Sequence, residues 1–218
     1  GVFLFHNPFP LGAAILKKEL IKSAFVATLP VMMGYVVLGI GFGMILKSKG
    51  YGVWWSLASA VFVYAGSMQY VLIDLLTGGA GFLTTALTIL MVNARHLFYG
   101  VSMVEEYKGA GAKKPYMIFA LTDETYSLVC AGASEGLNKH SYFFAVSVLD
   151  QCWWIIGCVL GSVLGSALKI NTEGLDFAMT ALFITVFVEQ WRGTKDHGPA
   201  LIGLAASFTS TRLGAVVT

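Results

Sequence analysis

Eight ionisable side chains lie within or beside long apolar stretches: Asp74, Arg95, His96, Asp123, Glu124, Asp150, Glu189 and Arg212. Arg95, His96, Asp123 and Glu124 sit well inside their runs. A charge held in hydrocarbon is costly, so such groups face a partner, a cavity or a solute path. The set suits a zwitterion with an apolar side chain. Arg95 or backbone amides would take its carboxylate, and Asp123, Glu124 or Asp150 its ammonium. Burial disfavours charge, which leaves His96 or one of the acids able to carry a proton near neutral pH.

The elements that must hold these groups are membrane helices. Of 218 residues, 56% are hydrophobic and 12% charged, where a soluble domain carries roughly 25% charge. A crossing needs around 20 apolar helical residues. Candidate runs are Ala24 to Leu46, Val53 to Leu76, Phe82 to Val104, Tyr116 to Ala133, Tyr142 to Leu168, Leu175 to Trp191 and Pro199 to Val217. They are continuous rather than alternating, which excludes a strand barrel. The expected fold is therefore an all-α polytopic membrane protein of about seven transmembrane helices, some of them broken. Residues 1–23 read as an interfacial amphipathic segment, with Lys17, Lys18 and Lys22 beside Leu16, Leu20 and Ile21. Residues 24–218 read as one transmembrane domain. Lys and Arg divide evenly between the two sides, so charge leaves the orientation open.

Helical geometry sorts the third run into two faces. At 100° per residue, Thr84, Thr88, Arg95, Tyr99 and Ser102 form a polar stripe flanked by Asn93 and His96. Leu83, Leu87, Leu90, Leu97 and Val101 fall on a separate, lipid-suited arc. The stripe is either a solute pathway or hydrogen-bonding glue between helices. In the fifth run Asp150, beside Gln151, shares a face with Gly157 and Gly161 and should point at a neighbouring helix. It could instead cap the start of that helix. In the second run Ser67, Tyr70 and Asp74 share a face, and Ala65 to Ser67 is a candidate helix break. Pro30 and Gly34 mark another. Broken ends are tolerated where they line a cavity, and half-helix termini can hold an amino acid at mid-membrane. A faint three-helix repeat relates Gly39 to Gly43, Gln69 and Arg95 to Gly157 to Gly165, Gln190 and Arg212.

Other chemistry is not signalled. Cys130, Cys152 and Cys158 lack paired metal-ligand spacing, and there is no phosphate loop, GxSxG or HExxH. No cofactor or metal is expected. A net charge of +2 gives no polybasic surface for nucleic acid. An intramembrane acid–base enzyme built on Asp123, Glu124 and His96 is a possible alternative, but it lacks a nucleophile.

Four motifs occur in order: YAGSMQY from Tyr64, VNARHLFYG from Val92, LTDETYSL from Leu121 and LDQCWW from Leu149. Together they resemble the AzlC-type large subunit of bacterial branched-chain amino acid exporters, over roughly residues 17–191. The resemblance implies a multi-pass protein of the bacterial plasma (inner) membrane that exports leucine, isoleucine and valine, with methionine in some members. It also implies a small hydrophobic AzlD-type partner subunit of about four spans. Ser67, Gln69, Asn93, Arg95, His96, Asp123, Glu124, Asp150 and Gln151 stand at its motif positions, with Tyr99 on the same stripe. Proton-coupled secondary transport is the expected mechanism. The alternative within this class is an assembly subunit whose partner does the transport.

Overall fold

The computed structural model describes residues 10–133 and 136–167, and beyond them 184, 188, 191–192, 197–198 and 201–202. The described elements are all helices. They are α1 (Pro10–Ser48), α2 (Val53–Phe62), α3 (Gly66–Thr77), α4 (Phe82–Val92), α5 (Ala94–Ser102), α6 (Lys114–Phe119), α7 (Asp123–Cys130) and α8 (Lys139–Ala167). A single 3-10 turn, Gly111–Lys113, precedes α6. The chain divides into two compact units, residues 1–175 and 176–218. In the second, Trp191 stacks on His197 with ring centroids 4.0 Å apart. Most of the sixth and seventh candidate spans, with Glu189, Arg212 and Gln190 of the proposed repeat, lies outside the described residues.

Among the described residues two helices are long and apolar enough to cross a bilayer unaided: Lys17–Ser48 within α1, of 32 residues, and α8, of 29. They pack on each other through glycine. A Cβ on Gly39 would lie 2.8 Å from the Cys158 amide nitrogen, and one on Gly157 would lie 2.8 Å from the Tyr35 carbonyl oxygen. Gly43 and Gly161 are pressed against the opposite backbone in the same way. Small residues on both sides let the two backbones touch, which maximises dispersion contact where lipid offers no hydrophobic drive. Pro30 does not break α1; it removes one intrahelical bond and the helix continues. Apolar surroundings offer the backbone no better partners.

The second, third and fourth candidate spans are broken. The second parts into α2 and α3 where Tyr64 takes φ 40°. A bulky residue in the left-handed region costs about 1–3 kcal/mol and persists only where its surroundings hold it. The third parts at Asn93 (φ −93°, ψ 4°) into α4 and α5. The fourth parts at Ala120 to Thr122 into α6 and α7. Pro115 stands in the first turn of α6, where its missing N–H costs nothing. Thr122 caps α7, its hydroxyl accepting from the Thr125 N–H at 3.3 Å. Below these breaks Met103, Tyr107, Met117, Leu121 and Val129 pack on Phe143 and Val146 of α8 and anchor the third and fourth spans.

Candidate functional site

The breaks leave helix ends and charged groups facing one another. Helix α7 begins with Asp123 and Glu124, whose charge complements the positive end of its dipole. Arg95, in the first turn of α5, pairs with Asp123 through Nη1 and donates from Nη2 to Ser67 Oγ at 2.8 Å. Ser67 lies in the first turn of α3, whose N-cap, Ala65, has no capping side chain. Three half-helices therefore meet at one guanidinium. The pair is only partly shielded, with side chains 29% and 24% exposed. Arg95 Nε and Asp123 Oδ1 have no hydrogen-bond partner among the described residues, although both atoms are buried.

Asp150 is fully buried on α8. Its Oδ2 accepts from Thr125 Oγ1 at 2.8 Å, and Oδ1 has no partner among the described residues. Its position on the glycine face, against neighbouring helices, agrees with the helical projection. The break turns the Tyr64 side chain inward toward Asp150 and Glu124, and its buried hydroxyl makes no hydrogen bond of good geometry. Glu124 accepts from the Tyr35 hydroxyl at 2.7 Å.

Gln69 and Gln151 belong to the frame. Trp154 Nε1 donates to Gln69 Oε1 at 2.7 Å, and Gln69 Nε2 donates to Ser59 Oγ at 3.1 Å. The Tyr116 hydroxyl donates to Gln151 Oε1 at 2.6 Å, and Gln151 Nε2 donates to the Val61 carbonyl at 3.1 Å. That carbonyl lies in the last turn of α2, where no intrahelical donor follows. The two amides thus tie both halves of the broken span to neighbouring helices.

Around Arg95 the third span is less uniform than a straight helix implies. Asn93 leaves helical geometry, so the 100° projection does not carry across it. Thr84 is exposed, Thr88 is half-buried and α4 buries no residue, whereas Arg95 and Tyr99 turn toward α7. The apolar arc does persist: Leu83, Leu87, Leu90, Leu97 and Val101 are all exposed. Tyr99 stacks on Tyr126 at 4.6 Å, with Asp123 beside it. The half-buried His96 places Nδ1 3.2 Å from the Asn93 carbonyl oxygen, and the buried Asn93 Oδ1 is unpartnered among the described residues. Asp74, near the end of α3, is exposed.

Tyr35, Tyr64, Thr122 and Thr125 enter the site without having been singled out as site residues from the sequence. For the threonines a signal existed. Thr122 and Thr125 flank two acids at the spacing of a helix N-cap, which predicts a helix start inside the fourth apolar run. Nothing local marked Tyr35.

A buried carboxylate, a half-buried ion pair and interrupted helices beneath exposed apolar faces are features of a membrane protein with polar groups at depth. Residues 30–168 match the family described as AzlC protein. The chain belongs to the AzlC family. It is 42% identical over 190 residues to the branched-chain amino acid transport protein AzlC of Bacillus subtilis (strain 168), covering 87% of this chain and 75% of that protein. It is 38% identical over 193 residues to an uncharacterized membrane protein of Helicobacter pylori (strain ATCC 700392 / 26695), covering 88% and 85%. It is 25% identical over 192 residues to the inner membrane protein YgaZ of Escherichia coli (strain K12), covering 84% and 78%. No solved structure matches.

Proposed function

We propose that this chain exports branched-chain amino acids across the bacterial plasma membrane, as the large, multi-pass subunit of a proton-coupled two-component exporter. The Bacillus subtilis relative carries branched-chain amino acid transport in its name, and the Escherichia coli relative is named an inner membrane protein. The observation that carries the reading is the set of buried atoms on Arg95, Tyr64 and Asp150 that lack partners among the described residues, close to the helix breaks. Arg95 Nε and the uncapped N-terminus of α3 supply donors for a carboxylate. Asp150 Oδ1 and the Tyr64 hydroxyl supply acceptors for an ammonium. In this reading Ser67, Asn93, His96, Tyr99, Asp123 and Glu124 shape the site, while Gln69 and Gln151 hold its walls. The partner is a small hydrophobic AzlD-type subunit.

The test is efflux of leucine from cells loaded with a leucine-containing dipeptide. Cells express this chain alone, the AzlD-type partner alone, or both. Efflux above background only when this chain is present, and its loss on dissipating the proton gradient, is the expected result. Efflux from the partner alone would make this chain an assembly subunit. Efflux indifferent to the gradient would remove proton coupling.

A further inference from the structure

Between Glu124 and Asp150 the hydroxyls of three residues stand in file. The Tyr35 hydroxyl donates to Glu124 Oε2 at 2.7 Å and lies 2.7 Å from Thr122 Oγ1. Thr122 Oγ1 donates to Thr125 Oγ1 at 3.1 Å, and Thr125 Oγ1 donates to Asp150 Oδ2 at 2.8 Å. These four contacts need four hydrogens, and three hydroxyls supply three. With the donors so arranged, the Tyr35–Thr122 contact is left with two close oxygens and no hydrogen. One further hydrogen on either carboxyl completes the file.

Charge points the same way. Arg95 is paired with Asp123, and neither Glu124 nor Asp150 is in an ion pair among the described residues. Tyr35 from α1, Tyr64 from the link between α2 and α3, Tyr99 from α5, Tyr116 from α6 and Tyr142 from α8 face one or both acids. The cation beside them, Arg95, also reaches Tyr99 and is taken by Asp123. Asp150 is buried without a counterion among the described residues, which is costly, and a second carboxyl stands at the far end of the file. Tyr35, Thr122, Thr125 and Asp150 are buried, whereas Glu124 is partly exposed, which makes it the open end of the file.

We propose that Glu124 and Asp150 share one proton, and that Tyr35, Thr122 and Thr125 are the path along which it passes between them. The sharing stands on the hydrogen count; its use in transport rests on the export reading above. In the transfer the Asp150 Oδ2–H bond breaks as a Thr125 O–H bond forms. Thr125 gives its own hydrogen to Thr122, Thr122 to Tyr35, and Tyr35 to Glu124 Oε2. Each hydroxyl takes one hydrogen and gives one, and the negative charge moves from Glu124 to Asp150. No co-reactant is needed. Ionised Asp150 then holds an ammonium at Oδ1, and protonated Asp150 releases it, which makes proton and substrate alternatives at one carboxyl.

The experiment has two arms on the full chain. Infrared spectra of the protein in lipid nanodiscs should show a protonated-carboxyl band at neutral pH that Asp150→Asn with Glu124→Gln removes and Tyr35→Phe shifts. Absence of such a band, or its persistence in the double variant, overturns the shared proton. In proteoliposomes containing the protein and its partner, Tyr35→Phe and Thr122→Val should lower the ratio of proton-driven leucine accumulation to leucine counterflow about tenfold or more. Thr122→Ser, which retains both hydroxyl and cap, should behave as wild type. An undiminished ratio in Tyr35→Phe and Thr122→Val overturns the path. A wild type that moves no leucine overturns the export reading instead, and the infrared band then decides the shared proton by itself.

Discussion

The α1–α8 contact and the cluster of broken helices use buried space in opposite ways. Along α1 and α8 two long helices meet glycine to backbone, leaving no room even for a methyl group at Gly39, Gly43, Gly157 or Gly161. A few turns away, α3, α5 and α7 begin at helix breaks, and buried polar atoms on Tyr64, Arg95, Asp123 and Asp150 lack partners among the described residues. The first region is closely packed. The second holds hydrogen-bonding capacity in reserve, which a transporter needs if a polar solute is to be desolvated in its path. A site of this kind is stable only beside a frame that carries the packing for it.

Substitutions separate the two regions. The largest effect is expected from Arg95→Ala, which removes the guanidinium shared by Asp123 and Ser67. Export should fall to background while the protein still reaches the membrane, as read by dipeptide-loaded efflux beside immunoblots of membrane fractions. Full export by that variant would place the pathway elsewhere. Gly161→Leu attacks the frame instead. It forces α1 off α8 at a cost of about 1–3 kcal/mol or more, read as a lower Tm and a smaller folded fraction, with export per folded molecule less affected. Tyr64→Phe removes a hydroxyl that makes no well-formed hydrogen bond, so Tm should hold while the apparent affinity for leucine weakens several-fold, by about 1 kcal/mol. A fallen Tm would make Tyr64 part of the frame. The smallest effect belongs to Lys108→Ala. Its pair with Glu105 spans 3.5 Å with both side chains more than three-quarters exposed, and exposed pairs contribute little. Neither export nor Tm should change measurably.

Particular residues show how far the sequence carries. The glycine face of α8 and the placement of Asp150 on it were legible because helical periodicity is local and Gly157 and Gly161 lie two and three turns beyond. The lipid-facing leucines of the third span were legible for the same reason. The break at Asn93 was not, so the stripe was extended to Thr84 and Thr88, which lie apart from the site. Pro30 looked like a breaker and is carried through α1 intact. Gln69 and Gln151 were picked out as polar groups at depth, but their use as ties to Trp154 and Val61 depends on which helices lie opposite.

The amino-acid sequence by itself determined that this is a helical membrane protein with titratable groups at depth, because composition and the length of apolar runs depend only on local order. Its motifs also carried the family. Tertiary structure alone decided that Tyr35 meets Thr122 and Glu124, 87 and 89 residues away, and that Thr125 meets Asp150. Contacts between helices distant in the chain depend on where each helix stops and which face it turns. Those choices are made by packing, which no single segment encodes.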